Sequence, residues 1–117
     1  AISIRDTGAV VLITVEGTLG KESRADLKNA FSQALGKAPG IPAKAGVVLH
    51  FEANAAVNGA GITELVKCLA ELRRRRTWSA ISGLSDNFQT IFEMVGLGRY
   101  ADFFPTPDEA VKALRAN

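Results

Sequence analysis

The chain predicts a single α/β domain over residues 1–117, a mixed sheet of four to five strands with about four helices. Three observations carry this reading. Short β-branched runs of strand length alternate with segments whose apolar residues recur at helical spacing. Glycine and proline separate these segments instead of interrupting them. The 117 residues suffice for one core, and a composition 47% hydrophobic and 22% charged excludes a disordered chain.

Ile2 and Ile4 alternate with polar neighbours, Asp6-Thr7-Gly8 supplies a turn, and Ala9–Val15 follows as a second strand, together an antiparallel hairpin. Glu16–Gly20 reads as a glycine-punctuated loop. Leu27, Ala30, Phe31, Ala34 and Leu35 then fall at i, i+3, i+4, i+7 and i+8 of a helix that Gly36 ends. Lys37–Lys44, with Pro39, Gly40 and Pro42, predicts a loop, and Ala45–Phe51 a strand in a central sheet position.

Ala55–Thr63, A-A-V-N-G-A-G-I-T, joins that strand to the second helix. Asn58 is a capping residue, Gly59 and Gly61 allow a tight turn, and the first-turn N–H groups point outward. Leu65, Val66, Leu69 and Leu72 continue the helix, which finishes in Arg73–Arg76 at the negative end of its dipole. Trp78, Ala80 and Ile81 make a brief strand. Ser85 caps a third helix with Phe88, Ile91, Phe92 and Val95 as its buried stripe, closed by Gly96 and Gly98. Tyr100–Phe104 is a short edge strand or an ordered loop. Thr106-Pro107-Asp108-Glu109 is a capping box before a terminal helix whose inner face is Ala110, Val111 and Leu114. The predicted order is β-β-α-β-α-β-α-(β)-α.

Chemistry-bearing residues are sparse. His50 is the single histidine and Cys68 the single cysteine, with no carboxylate cluster nearby, so neither a metal site nor a bound cofactor is expected. His50 reads as structural or surface-lying, Cys68 as a packing thiol, and Trp78 as packing at a sheet edge. No nucleophile–base–acid constellation stands out, so no catalytic residue is assigned and the chain is expected not to be an enzyme. The net charge of +2 is too small to imply a nucleic-acid partner, and Arg73–Arg76 reads as a solvated helix end. No apolar run approaches the roughly 20 residues of a membrane span, and no secretory signal is visible, so a cytoplasmic protein is expected.

The whole chain resembles the STAS family, shared by sulfate transporters and anti-sigma-factor antagonists. The resemblance rests on V-L-I-T-V-E-G-T-L, on V-V-L-H-F-E-A-N-A-A-V-N-G-A-G-I, on F-E-M-V-G-L-G-R-Y-A-D-F-F and on the closing P-T-P-D-E-A-V-K-A-L. In that family the loop before the second helix usually reads D-S-[ST]-G-L, with the first serine the phosphoacceptor of a partner-switching kinase. Here Asn58 stands at the aspartate, Gly59 at the phosphoserine, Ala60 at the next hydroxyl, Gly61 at the glycine and Ile62 at the leucine. His50 stands where many members have an aspartate.

No phosphate ester can form on glycine, so phosphorylation at the family position is not expected. Thr63 is the nearest hydroxyl and a substitute acceptor one turn further on. The resemblance implies a signalling and transcription-regulation role, with a partner-binding face at Asn58, Gly59, Ala60, Gly61, Thr63, Glu64, Lys67, Ser85, Asp86 and Asn87. Its expected partner is an anti-sigma factor or related kinase-like protein of a bacterial-type regulator. The alternative is a module holding a nucleotide, phosphate or lipid-like anion at the N-terminus of the second helix. Apolar sheet edges could also pair two copies into a homodimer.

Overall fold

A computed structural model describes residues 1–36 and 46–116. The expected loop over 37–44 and the first residue of the strand predicted from Ala45 lie outside the described residues. Strands β1 (Ile2–Asp6) and β2 (Val10–Val15) form the predicted antiparallel hairpin, in the register Ile2 with Val15. Its turn closes where the Thr7 amide donates to the Val10 carbonyl at 2.9 Å. Helix α1 (Arg24–Ala34) buries Leu27, Ala30, Phe31 and Ala34, and Gly36 ends it in the left-handed region at φ 70°.

Two short strands that apolar patterning alone does not reveal precede the second helix. Thr18–Leu19 (β3) pairs in parallel with Ala56–Val57 (β5), a two-residue ladder outside the main sheet. Between them in sequence runs β4 (Gly46–Phe51), and after them α2 (Gly59–Arg74), β6 (Trp78–Ser82), α3 (Asp86–Met94), β7 (Asp102–Phe104) and α4 (Pro107–Ala116). Tyr100–Phe104 thus contains the edge strand that was one of its two readings.

The main sheet is mixed, in the order β1-β2-β4-β6-β7, with β2, β4, β6 and β7 mutually parallel. Both faces of its centre are covered, which explains unbroken apolar runs where one-sided strands would alternate. Val11, Ile13, Val47, Leu49 and Ile81 face one cluster with α1, α2 and Phe92 of α3. Val10, Val48 and Ala80 face the other way and pack against Ala110 and Leu114 of α4. Gly46 makes room for that helix, because a Cβ there would lie 2.6 Å from Leu114 Cδ2.

Two packing expectations change. Val95 is not part of the buried stripe of α3: it is 48% exposed, because the helix ends at Met94 and Gly96, at φ 86°, turns the chain away from the core. Trp78 is not on an edge strand. β6 lies between β4 and β7, and Trp78, partly buried against the α4 side, opens it before pairing with β7 begins at Ala80.

Helix α2 closes on its own carbonyls. The Thr77 amide donates to Leu72 O at 2.9 Å and the Arg76 amide to Arg73 O at 3.0 Å, which places Arg76 at φ 59°, a conformation that favours glycine. Arg76→Gly is expected to raise unfolding free energy by about 1 kcal/mol in urea denaturation. A variant less stable than wild type would show that the arginine side chain supplies more than the backbone conformation costs.

Candidate functional site

The parallel strands β4 and β6 end side by side, and the segments that leave them build one surface. Asn58 starts α2 in extended conformation (φ −97°, ψ 179°), and its Oδ1 accepts the Gly61 amide at 3.0 Å. Its backbone amide donates to Leu19 O at 3.2 Å, so the cap is tied to the β3–β5 ladder. Gly20 lies against the same side chain: a Cβ at position 20 would sit 2.5 Å from Asn58 Nδ2.

The two glycines of the loop do different work. A Cβ on Gly61 would lie 2.2 Å from the Leu19 carbonyl oxygen, so close backbone approach demands glycine there. A Cβ on Gly59 would meet nothing within 4 Å, and that residue is exposed. Its backbone carbonyl accepts the Thr63 hydroxyl at 3.0 Å, a bond within the first turn that leaves Thr63 exposed.

Across a cavity of 330 Å³, Ser85 starts α3, its Oγ accepting the Phe88 amide at 3.2 Å. Phe51, Ala55 and Val57 from the β4 side and Leu84 and Phe88 from the β6 side supply the apolar walls. Phe51 also packs edge-on against the buried Phe92 ring, with centroids 5.7 Å apart, which ties α3 to β4. Neither the cavity nor its Phe51 and Leu84 walls was read from the sequence. The one local signal was Phe88 in the α3 stripe, since the wall forms only when two segments about thirty residues apart meet at the sheet end.

Asn58, Gly59, Thr63, Lys67, Ser85, Asp86 and Asn87 are exposed and Ala60 is half-buried, in two groups on either side of this sheet end. Gly61 and Glu64 are corrections to the expected face, because both are buried. Glu64 turns towards α1, where Arg24 Nε lies 3.2 Å from Oε2 and Lys28 Nζ 3.7 Å from Oε1. A carboxylate 2% exposed is held there by two cations, so it joins helices and cannot reach a docked partner.

His50 takes a structural place on the α4 side of the sheet. Its Nδ1 lies 2.9 Å from Ser82 Oγ, and its Nε2 lies 3.8 Å from Glu52 Oε1. The residue types are those of a hydrolase triad, but the Ser82 residue is fully buried, so a substrate carbonyl has no path to its hydroxyl. Cys68 is buried in the cluster on the opposite face of the sheet and forms no pair with His50. Among the described residues, no three His, Cys, Asp or Glu side chains gather in a way that could hold a metal ion.

A family model for the STAS domain matches residues 1–110. The chain belongs to the STAS domain family. Solved structures share this STAS fold at low identity. An RsbS variant of Moorella thermoacetica aligns with a TM-score of 0.79 at 14% identity, covering 98% of this chain and 95% of that one. An anti-sigma factor antagonist from Mycobacterium paratuberculosis aligns at 0.78 and 17%, covering 98% and 93%. The anti-sigma factor antagonist SpoIIAA in its unphosphorylated form aligns at 0.77 and 14%, with all of both chains covered. No curated protein matches this STAS domain. No helix among the described residues is long and apolar enough to cross a membrane.

The contrast between the glycines is testable by thermal denaturation. Gly61→Ala is expected to destabilise the fold by roughly 2–3 kcal/mol, because a backbone carbonyl has to move. Gly59→Ala is expected to raise stability by about 0.5 kcal/mol. Equal effects of the two substitutions would refute the close contact at Leu19.

Proposed function

We propose that this STAS domain is a non-enzymatic interaction module of the anti-sigma-factor-antagonist type, which docks a kinase-like anti-sigma regulator and is not switched by phosphorylation at the family position. The observation that carries the reading is the surface at the ends of β4 and β6. There Gly59 stands in open space on a capped helix start, and Val57 just before that cap lines one cavity with Ser85 at the start of α3. Asn58, Gly59, Ala60, Thr63 and Lys67 supply one side of the docking face and Ser85, Asp86 and Asn87 the other. Apolar walls rimmed by exposed polar helix starts suit a transient interface, in which shape and desolvation hold the partner and the polar rim sets its orientation.

In a family whose loop carries a phosphoacceptor, added charge disrupts or remodels docking. Glycine at position 59 keeps the face neutral at that point, so the module acts through its concentration and its partner's state. The fold similarity to SpoIIAA and to RsbS supports the kind of partner, and the lack of a membrane-spanning helix among the described residues is compatible with a cytoplasmic setting. The anion-binding alternative at the start of α2 draws less support, because the Gly61 amide is already taken by Asn58 Oδ1. Self-association through the β1 edge, where Ile4 is 38% exposed, belongs to the same reading as a second use of the domain.

Binding to a purified kinase-like anti-sigma protein of the native host is expected to be saturable by calorimetry, and Gly59→Asp to weaken it at least roughly tenfold through a buried charge. Unchanged affinity would move the interface elsewhere. Incubation with that kinase and ATP is expected to add one phosphate to the Gly59→Ser variant and none to wild type, by mass spectrometry. Phosphate on wild-type Thr63 would overturn the unswitched reading.

A further inference from the structure

The four consecutive arginines at the end of α2 divide into two kinds. Arg74 and Arg75 are held by the Glu71 carboxylate, one and the other within the last turns of their own helix. Arg73 and Arg76 instead line a 280 Å³ cavity at the amino end of β6, together with Arg99, Trp78, Tyr100 and Asp102. Among the described residues no carboxylate is in ion-pair contact with Arg73, Arg76 or Arg99. Three guanidinium cations against the single carboxylate of Asp102 leave the lining with a net charge of +2.

This arrangement is more than a solvated helix end. Arg73 is pre-positioned: its Nη1 donates to the Arg99 carbonyl, and its guanidinium carbon stands 6.0 Å from the centroid of the Tyr100 ring. The last carbonyls of α2 are occupied by the Arg75, Arg76 and Thr77 amides, so the helix end presents fewer free acceptors to repel an anion. Arg76 occupies a left-handed position, φ 59°, where glycine would relieve the backbone. The turn that ends α2 sets this conformation, and it leaves Arg76 lining the cavity beside Arg73 and Arg99.

We propose that this cavity binds the diphosphate group of a small molecule. Guanidinium forks match phosphate oxygens in pairs, and a diphosphate brings more negative charge and a wider spread of oxygens to three cations than a single phosphate or sulfate does. The volume suits such a group, and Trp78 and Tyr100 supply aromatic edges to its lining. The cavity lies at the opposite end of the sheet from the docking face, so the inference does not rest on the proposed function.

Trp78 and Tyr100 are the only tryptophan and tyrosine of the chain, so its intrinsic fluorescence reports on this cavity directly. The full chain is titrated with inorganic pyrophosphate at constant ionic strength, followed by fluorescence and by calorimetry, with sulfate as the comparison anion. Saturable binding is expected, with sulfate at least roughly tenfold weaker. Arg99→Gln and Arg76→Gly are each expected to weaken pyrophosphate binding roughly tenfold, and Arg76→Gly to do so while melting above wild type, which separates lost binding from lost structure. Arg74→Gln removes the same charge outside the cavity and is expected to leave the affinity within about twofold.

A nucleoside diphosphate that binds more tightly than pyrophosphate assigns the site to an aromatic diphosphate ester, and equal affinities assign it to the diphosphate alone; either supports the site. Pyrophosphate no better than sulfate would overturn the proposal. So would an Arg74→Gln effect as large as that of Arg76→Gly, since charge alone would then account for binding.

Discussion

The contact of the α2 backbone with the Leu19 carbonyl is the constraint on which the candidate site of this domain depends. Only a residue without a Cβ can stand at position 61, and its presence lets β3 and β5 lie together and brings Leu19 O to the Asn58 amide. Asn58 then caps the helix with its side chain seated against Gly20. Two stretches distant in sequence, 18–20 and 56–61, become one corner. A binding face built on such a corner loses little conformational entropy on docking, which is the physical advantage of preorganisation.

The sheet supplies the second level of organisation. Three helices cover one face and α4 alone covers the other, so β2, β4 and β6 are buried on both sides and need apolar residues at successive positions. The single-helix side is kept close by Gly46 beneath Leu114. Three of the buried polar side chains have partners from other parts of the chain. Ser79 Oγ donates to the Tyr100 carbonyl at 2.6 Å, Ser82 Oγ meets His50 Nδ1, and Glu64 meets Arg24 and Lys28. Each pair joins two elements, and so the polar contacts add specificity of arrangement to an apolar core.

The two ends of the parallel strands differ in chemistry. At the carboxyl ends lie capped helix starts and a cavity with apolar walls and the Glu52 carboxylate; at the amino end of β6, arginines outnumber the single aspartate of the lining. The difference follows from helix polarity together with composition. Helix starts are provided with Asn58 and Ser85 as acceptors for free amides, and the end of α2 is provided with arginines that complement the opposite partial charge. Those arginines left over after Glu71 is satisfied are the ones available to a ligand.

Much of this was legible in the chain itself. The hairpin at Thr7-Gly8, the caps at Asn58, Ser85 and Thr106, the stop at Gly36 and the strand–helix alternation are local, because each depends on residues within a few positions of one another and on intrinsic backbone preference. The resemblance to the STAS family, read from motifs spread along the chain, agrees with the fold and with the matched family model. What only the tertiary structure decided depends on residues far apart in sequence. The β3–β5 ladder is two residues long on each side and carries no pattern of its own, Glu64 turns inward because Arg24 and Lys28 arrive from α1, and Val95 is exposed because α3 ends at Met94 and the chain then turns away. The sequence determines which residues can cap, turn and fill; the division of Arg73–Arg76 into paired and cavity-lining members required the approach of Arg99 and Tyr100, since a charge acquires a role only from what packing brings beside it.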